Sequence, residues 1–299
     1  MKKHNYLLFK IIFICFLLLI GYVLLEPNDE KETISNQIDS NQDLLEIYFF
    51  DVGEADSTYI HYLDYDILID AGNTVDGKLL VSYIKNLGVT SFDSVFATHA
   101  HEDHMGGMHW FIYKFPIEHF YMPNHKASWK SYENLMNALE EENVVLEEPE
   151  IGQEFVFDDL ILTVLSIGHS EDYNENSIVL KATFKNTTYL FMGDAESDVE
   201  HKLLDMDIKS NVLKVGHHGS KNATSANFLY TVDPDYAIIS VGSGNEYGHP
   251  HQVILDKLDK MNCTVYRTDL NHTIHLISDG EAIQFEFIDT DVNGGDLSS

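Results

Sequence analysis

The chain has 299 residues, 44% of them hydrophobic, and carries 49 acidic against 18 basic side chains, a net charge of −31. That composition supplies enough apolar material for one large core, and it excludes the basic footprint by which proteins hold polyanions non-specifically. Cys15 and Cys263 are the only cysteines, which rules out a disulfide framework.

Residues 6–25 are apolar except for Lys10, and Lys2, Lys3 and Lys10 come before any acid. A positive start followed by an apolar run of this length reads as a signal anchor or transmembrane helix over 1–25. No small-residue cleavage site surrounds Leu24-Leu25-Glu26-Pro27, so the anchor is expected to stay uncleaved. The positive-inside rule then leaves the rest of the chain outside the cell membrane. That remainder holds all 49 acids and 15 of the basic residues. Residues 26–43 are polar and acidic, and read as a flexible linker. A single folded domain is expected over 44–290, with a polar tail at 291–299.

The domain opens on the strand-like LLEIYFF, which DVGEAD turns. STYIHYL alternates, and DILID is a short apolar run closed by AGN. Residues 77–87 (GKLLVSYIKNL) have apolar spacing near 3.6 and predict a helix that Gly88 stops. SVFAT (94–98) is the next strand and runs directly into HAHEDHMGGM. A helix is expected over 128–142, and a hairpin over 155–165 around Asp158-Asp159. IVLKATF and TTYLFMGD pair across Lys185-Asn186. Helices at 195–206, 223–230 and 251–261 alternate with the strands NVLKV and YAIISVG. TVYRT, NHTIHLIS and AIQFEFI close the domain as strands. Two successive halves of hairpins and βα units predict an α/β sandwich rather than a doubly wound sheet.

His99, His101, Asp103 and His104 place four potential metal ligands within six residues, immediately after an apolar strand. In extended backbone His99 and His101 project to the same side. As the chain turns toward a helix, Asp103 and His104 can face a second ion. Imidazole with carboxylate suits Zn²⁺, and also Mn²⁺ or Fe. Asp194 ends the strand TTYLFMG, where a carboxylate can bridge two cations roughly 3.5–4 Å apart. His217 and His218 end another strand. Adjacent imidazoles diverge, so one binds metal while the other lines the pocket or donates a proton. Ser220 sits where a helix can begin, which suits a phosphate oxygen or a plain N-cap. Asp51, Asp56 and Asp70 are expected to orient ligands and hold turns.

FFDVGEADS (49–57), LIDAG (68–72), THAHEDHMGG (98–107), ENSIVL (175–180), FMGDAE (191–196), VLKVGHHGS (212–220) and YGHP (247–250) carry a resemblance. In order and spacing, over residues 44–280, they resemble the hydrolase domain of ComEC-type competence proteins, within the metallo-β-lactamase fold. The resemblance implies a four-layer αββα sandwich with two divalent metal ions, Zn²⁺ by default and Mn²⁺ as the rival, at one edge of the sheets. It implies that Asp194 bridges them and that His218 rather than His217 is a ligand. It points to His169 as the third histidine of the first metal, with Ser166 the other residue the alignment can place there. His249 would face the leaving group.

The activity implied is that of an exported phosphodiesterase or nuclease in which Asp103 binds metal and orients the attacking water. Its partners would be a phosphodiester substrate, DNA or a cell-surface polymer, and the membrane. Rival activities are a surface phosphorylcholine or teichoic-acid esterase, a β-lactamase-like acyl hydrolase, and a non-catalytic competence assembly factor. The HHGS and GHP motifs oppose the acyl reading, and the near-complete ligand set opposes the last.

Overall fold

The computed structural model describes residues 43–289. The expected anchor and tail, and the linker up to residue 42, lie outside the described residues. Among the described residues no helix is long and apolar enough to cross a membrane.

The first part of the chain forms β1 (Leu45–Phe49), β2 (Ser57–Tyr62), β3 (Tyr65–Ala71), β4 (Phe92–Phe96), β5 (Ile117–Tyr121) and β6 (Leu146–Glu147). Between them lie α1 (Gly77–Asn86), α2 (Glu102–Met105), α3 (Met108–Ile112) and α4 (Lys130–Glu141). The second part forms β7 (Glu154–Phe157), β8 (Leu160–Ser166), β9 (Val179–Phe184), β10 (Thr187–Phe191), β11 (Val212–Lys214), β12 (Tyr236–Ile239) and β13 (Thr264–Arg267). Its helices are α5 (Ser197–Leu203), α6 (Ala226–Val232) and α7 (Gln252–Lys260), and α8 (Thr268–Asn271) leads to β14 (Thr273–Ser278) and β15 (Ile283–Ile288).

Two sheets result, ordered β15-β14-β1-β2-β3-β4-β5-β6 and β13-β12-β11-β10-β9-β8-β7. Each begins as antiparallel hairpins and becomes parallel, from β3 onward in the first and from β10 onward in the second. The closing strand β14 crosses back to pair with β1, Phe49 opposite Ile274.

Three apolar clusters separate the layers. Ile47, Ile60, Ile67, Leu162, Leu180 and Phe191 fill the space between the sheets. Leu80, Val81, Ile84, Leu135 and Leu139 bring α1 and α4 onto the outer face of the first sheet. Val199, Leu203, Phe228, Ile254 and Leu258 bring α5, α6 and α7 onto the second. Each helix buries one stripe at i, i+3 and i+4 spacing, as α7 does with Ile254 and Leu258, and turns its charged face to water. β8 alternates strictly, burying Leu160, Leu162, Val164 and Ser166. The arrangement is the expected αββα sandwich. The sequence pattern missed β5, β6, α3 and α8: β6, α3 and α8 are too short to show a period, and β5 buries only its last two residues.

Parallel strands in each sheet end at one edge. There the chain emerges from β3 at Asp70, from β4 into Thr98–His104, from β10 into Asp194, from β11 into His217-His218, and from β12 into the 240–250 loop. Loops on a rigid scaffold are where reactive side chains are commonly displayed. At this edge Asp70, His217 and His218 have φ of 58°, 49° and 51°, a region costly for residues other than glycine. Gly107 lets the metal-loop turn press on β3, since a Cβ there would collide with the Ala71 carbonyl.

Candidate metal centre

The site is built on Asp70. Its Oδ1 accepts from the Thr98 amide at 2.8 Å and its Oδ2 from the Thr98 hydroxyl at 2.7 Å. The same Oδ2 accepts from His104 Nδ1 at 2.8 Å, which fixes the imidazole and leaves Nε2 as the lone-pair nitrogen. His218 is held in the same manner, its Nδ1 3.0 Å from the Ser240 carbonyl. Both rings are buried, and both Nε2 atoms point at Asp194.

Asp194 lies between two sets of histidines. Its Oδ1 is 3.1 Å from His104 Nε2 and 3.8 Å from His218 Nε2. Its Oδ2 is 3.9 Å from His99 Nε2 and 3.8 Å from His217 Nε2. The Ser177 hydroxyl, which accepts from the Asp194 amide at 3.1 Å, also lies 3.4 Å from His99 Nδ1. Two ligand sets emerge, Asp103 with His104, Asp194 and His218, and His99 with His101 and Asp194, the atoms of each lying within 4.8 Å of one another.

A divalent cation fits this centre on two grounds. His104 Nε2, Asp194 Oδ1 and His218 Nε2 are buried and face only one another and Asp103, a converging set that coordination to a metal would satisfy. The charges agree. Burial pushes the Asp194 carboxyl up, but His104 and His218 outweigh it and hold it well below the usual range. Burial likewise pushes the His218 imidazole down, yet Asp194, Asp103 and Asp56 raise it to about 9. His104 is raised well above 6.5 because Asp194, Asp70 and Asp103 together overcome its burial. The carboxylates thus demand positive charge, which a metal supplies when the imidazoles are neutral. His99 has less acid around it, and burial drives it well below 6.5, the form that ligates.

Behind the ligands lies a buried ion pair. Lys214 Nζ donates to Asp56 Oδ2 at 2.7 Å, both side chains being buried. Asp56 Oδ1 then faces His218 Nδ1 at 3.6 Å. Asp56 thus lies directly behind His218. Asp51 instead takes the Gly53 amide at 3.4 Å and holds the turn.

In front of the ligands opens a cavity of about 490 Å³, lined by Glu54, His101, Glu102, Asp103, Trp129, Asp194, His217, His218, Tyr247 and His249. His217 Nδ1 donates to Glu196 Oε1 at 2.7 Å. His249 Nδ1 donates to Glu54 Oε1 at 2.8 Å, and Glu54 Oε2 accepts from the Gly242 amide at 2.8 Å. Both rings therefore turn Nε2 to the cavity.

The structure brings His99, His101, Asp103, His104, Asp194, His217, His218 and His249 together, and it corrects two expectations. His169 is not at the centre: its side chain is 64% exposed, with Nδ1 3.7 Å from Glu148. The 167–178 segment turns through Asn176, whose Oδ1 accepts from the Ser170 amide, and this carries His169 outward. Ser220 does not line the cavity either. It is buried, its Oγ accepts from the Asn222 amide at 3.4 Å, and the next helix begins only at Ser225, which caps α6. Sequence reasoning passed over Glu54 and Glu196. Each stands two residues from a named aspartate, in DVGEAD and FMGDAE, and that proximity was the available signal. Tyr247 opens the YGHP motif, which was read only for its histidine, and Trp129 gave no signal.

Fold and ligand geometry together define a metallo-β-lactamase-type site. Residues 51–243 match the model of the metallo-beta-lactamase superfamily, and the chain belongs to that superfamily. It is 31% identical to "ComE operon protein 3" of Bacillus subtilis over 77% of this chain and 32% of that protein. With "Recombination protein 2" of Haemophilus influenzae it shares 26% identity over 90% of this chain and 31% of the relative. It therefore spans about a third of the length of these curated relatives. The metallo-beta-lactamase fold protein YhfI of Bacillus subtilis superposes with a TM-score of 0.52 at 11% identity, covering 79% of this chain and all of that one, a likeness of fold.

Proposed function

We propose that this chain is a dinuclear metal-dependent phosphodiesterase that cuts DNA strands, held outside the membrane by its N-terminal segment. The observation that carries the reading is the disposition of Asp194, whose two carboxylate oxygens face different histidine sets. That is the geometry a bridging ligand requires. The chain's similarity to proteins named "Recombination protein 2" and "Competence protein ComA" supports a nucleic-acid phosphodiester as substrate.

His99 and His101 would hold one ion, and Asp103, His104 and His218 the other. Zn²⁺ suits this set best and Mn²⁺ next. Bound ions would lower the pKa of water toward neutrality and offset charge developing on the phosphoryl oxygens. Asp103, with Oδ2 3.4 Å from His218 Nε2, orients the attacking water from the cavity floor. His217, which Glu196 and Asp194 raise above its usual value against its burial, can be cationic and protonate the leaving oxygen from Nε2, while His249, with Nδ1 on Glu54 and lowered by burial, faces that oxygen as a neutral ring.

The test is turnover of bis-p-nitrophenyl phosphate and of nitrocefin by the full chain loaded with Zn²⁺ or Mn²⁺. Hydrolysis of the phosphodiester, abolished by His101→Ala and by Asp103→Ala, is expected. Nitrocefin turnover without phosphodiester turnover, or variants with full activity, would refute the proposal.

A further inference from the structure

Two aromatic side chains flank the metal centre, and the chemistry described so far uses neither. On the His99/His101 side, Trp129 Nε1 donates to the Ala100 carbonyl at 2.6 Å, which ties the indole to the metal loop. Its ring centroid is 5.8 Å from His101 and 4.8 Å from Tyr173. The Tyr173 hydroxyl donates to the Lys126 carbonyl at 3.1 Å and braces this wall. On the His218 side, Tyr247 lies almost parallel to His249, with centroids 5.6 Å apart and planes at 18°. Tyr247 is 70% exposed, so core packing does not account for it.

We infer that Trp129 and Tyr247 stack the nucleobases on either side of the scissile phosphate of a single-stranded polynucleotide. This rests on the phosphodiesterase reading and names the form of its substrate.

Charge limits how that occupant can be held. None of the described residues lining the cavity is Lys or Arg, and the chain carries a net −31. Phosphates beyond the scissile one therefore find no cation in the cavity, and affinity must come from the metals and from base stacking. Stacking on aromatic rings tolerates any sequence but needs unpaired bases, which a duplex keeps inside its helix. A quaternary ammonium would also favour aromatic faces, but it would seek a free carboxylate. Both Glu54 oxygens are engaged by His249 and Gly242, and of Glu102 one oxygen accepts from the Thr74 amide.

The experiment measures binding, so its outcome is separate from that of turnover. The full metal-loaded chain is titrated by fluorescence anisotropy with a phosphorothioate oligothymidylate and with an abasic oligomer of equal length and linkage. The oligothymidylate should bind tighter by roughly 5- to 150-fold for each stacked base, with a shallow dependence on salt. Tyr247→Ala and Trp129→Ala should each reduce that preference, whereas Tyr247→Phe and Trp129→Phe, which keep a ring, should restore most of it. Equal affinity for the two oligomers, no binding of either, an undiminished preference in both alanine variants, or tighter binding of glycerophosphocholine would overturn the inference. Absence of hydrolysis with the base preference intact would overturn the phosphodiesterase reading alone.

Discussion

Replacing Asp70 with Asn isolates what the hydrogen-bond network does for the metal ligands. The exchange preserves size, and Asn tolerates the left-handed conformation that φ of 58° imposes. Only the carboxylate's double acceptance is lost. Asp70 accepts from the Thr98 amide on one oxygen and from both the Thr98 hydroxyl and His104 Nδ1 on the other. An asparagine has one oxygen and one NH₂. If the NH₂ faces His104, it donates to Nδ1 and moves the ring proton to Nε2, the atom that must ligate. If it faces Thr98, two N–H groups oppose each other in a buried site. The first arrangement should weaken metal binding about 10- to 100-fold, the range for lost ligand-orienting partners, equivalent to about 1.4–2.8 kcal/mol. The second should destabilise the metal-free fold by about 1–3 kcal/mol, as an unsatisfied buried donor does. Zinc competition against a calibrated chelator, paired with urea unfolding of the apo protein, reads both quantities. A variant with wild-type zinc affinity and wild-type urea midpoint would show that Asp70 does not set the His104 tautomer.

Other perturbations follow from the same contacts. Lys214→Met strands Asp56 as a buried charge, since the pair is 2.7 Å apart and both side chains are buried, and should cost about 3–5 kcal/mol in urea unfolding of the apo protein. Adding Asp56→Asn should recover part of that loss, and a single-variant cost under about 1 kcal/mol would contradict a charged Asp56. At the far end of the first sheet, His61 Nδ1 bonds Asp66 Oδ1 at 2.8 Å, and that bond raises the imidazole above 6.5. A raised folded-state value means the pair's stabilisation is complete below pH 6.5 and fades as pH rises through the raised value. The melting-temperature deficit of His61→Gln should therefore be larger at acid than at alkaline pH, and a deficit that grows with pH would reverse the assignment.

The site divides into what local pattern reveals and what only the fold assembles. His99 to His104 were legible because one turn supplies four ligands. Asp194 and His218 were legible because apolar strands end at them. His169 misled because ligand-type residues in loops are common, and the direction of 167–178 depends on the Asn176–Ser170 bond rather than on any period. Glu54 reaches His249 across 195 positions, and Lys214 reaches Asp56 across 158. Single-chain spacing contains no trace of such pairs. The same holds for β14, whose alternation marks a strand but not its place beside β1.

The central claim is that two metal ions share Asp194. Metal content of the full chain, expressed without a metal-binding tag and dialysed against a weak chelator, tests it most directly. About two ions per wild-type chain are expected, with a large loss in Asp194→Asn, because both ligand sets lose their shared carboxylate. A wild-type chain that retains a single ion, or an Asp194→Asn variant that retains two, would contradict the bridge.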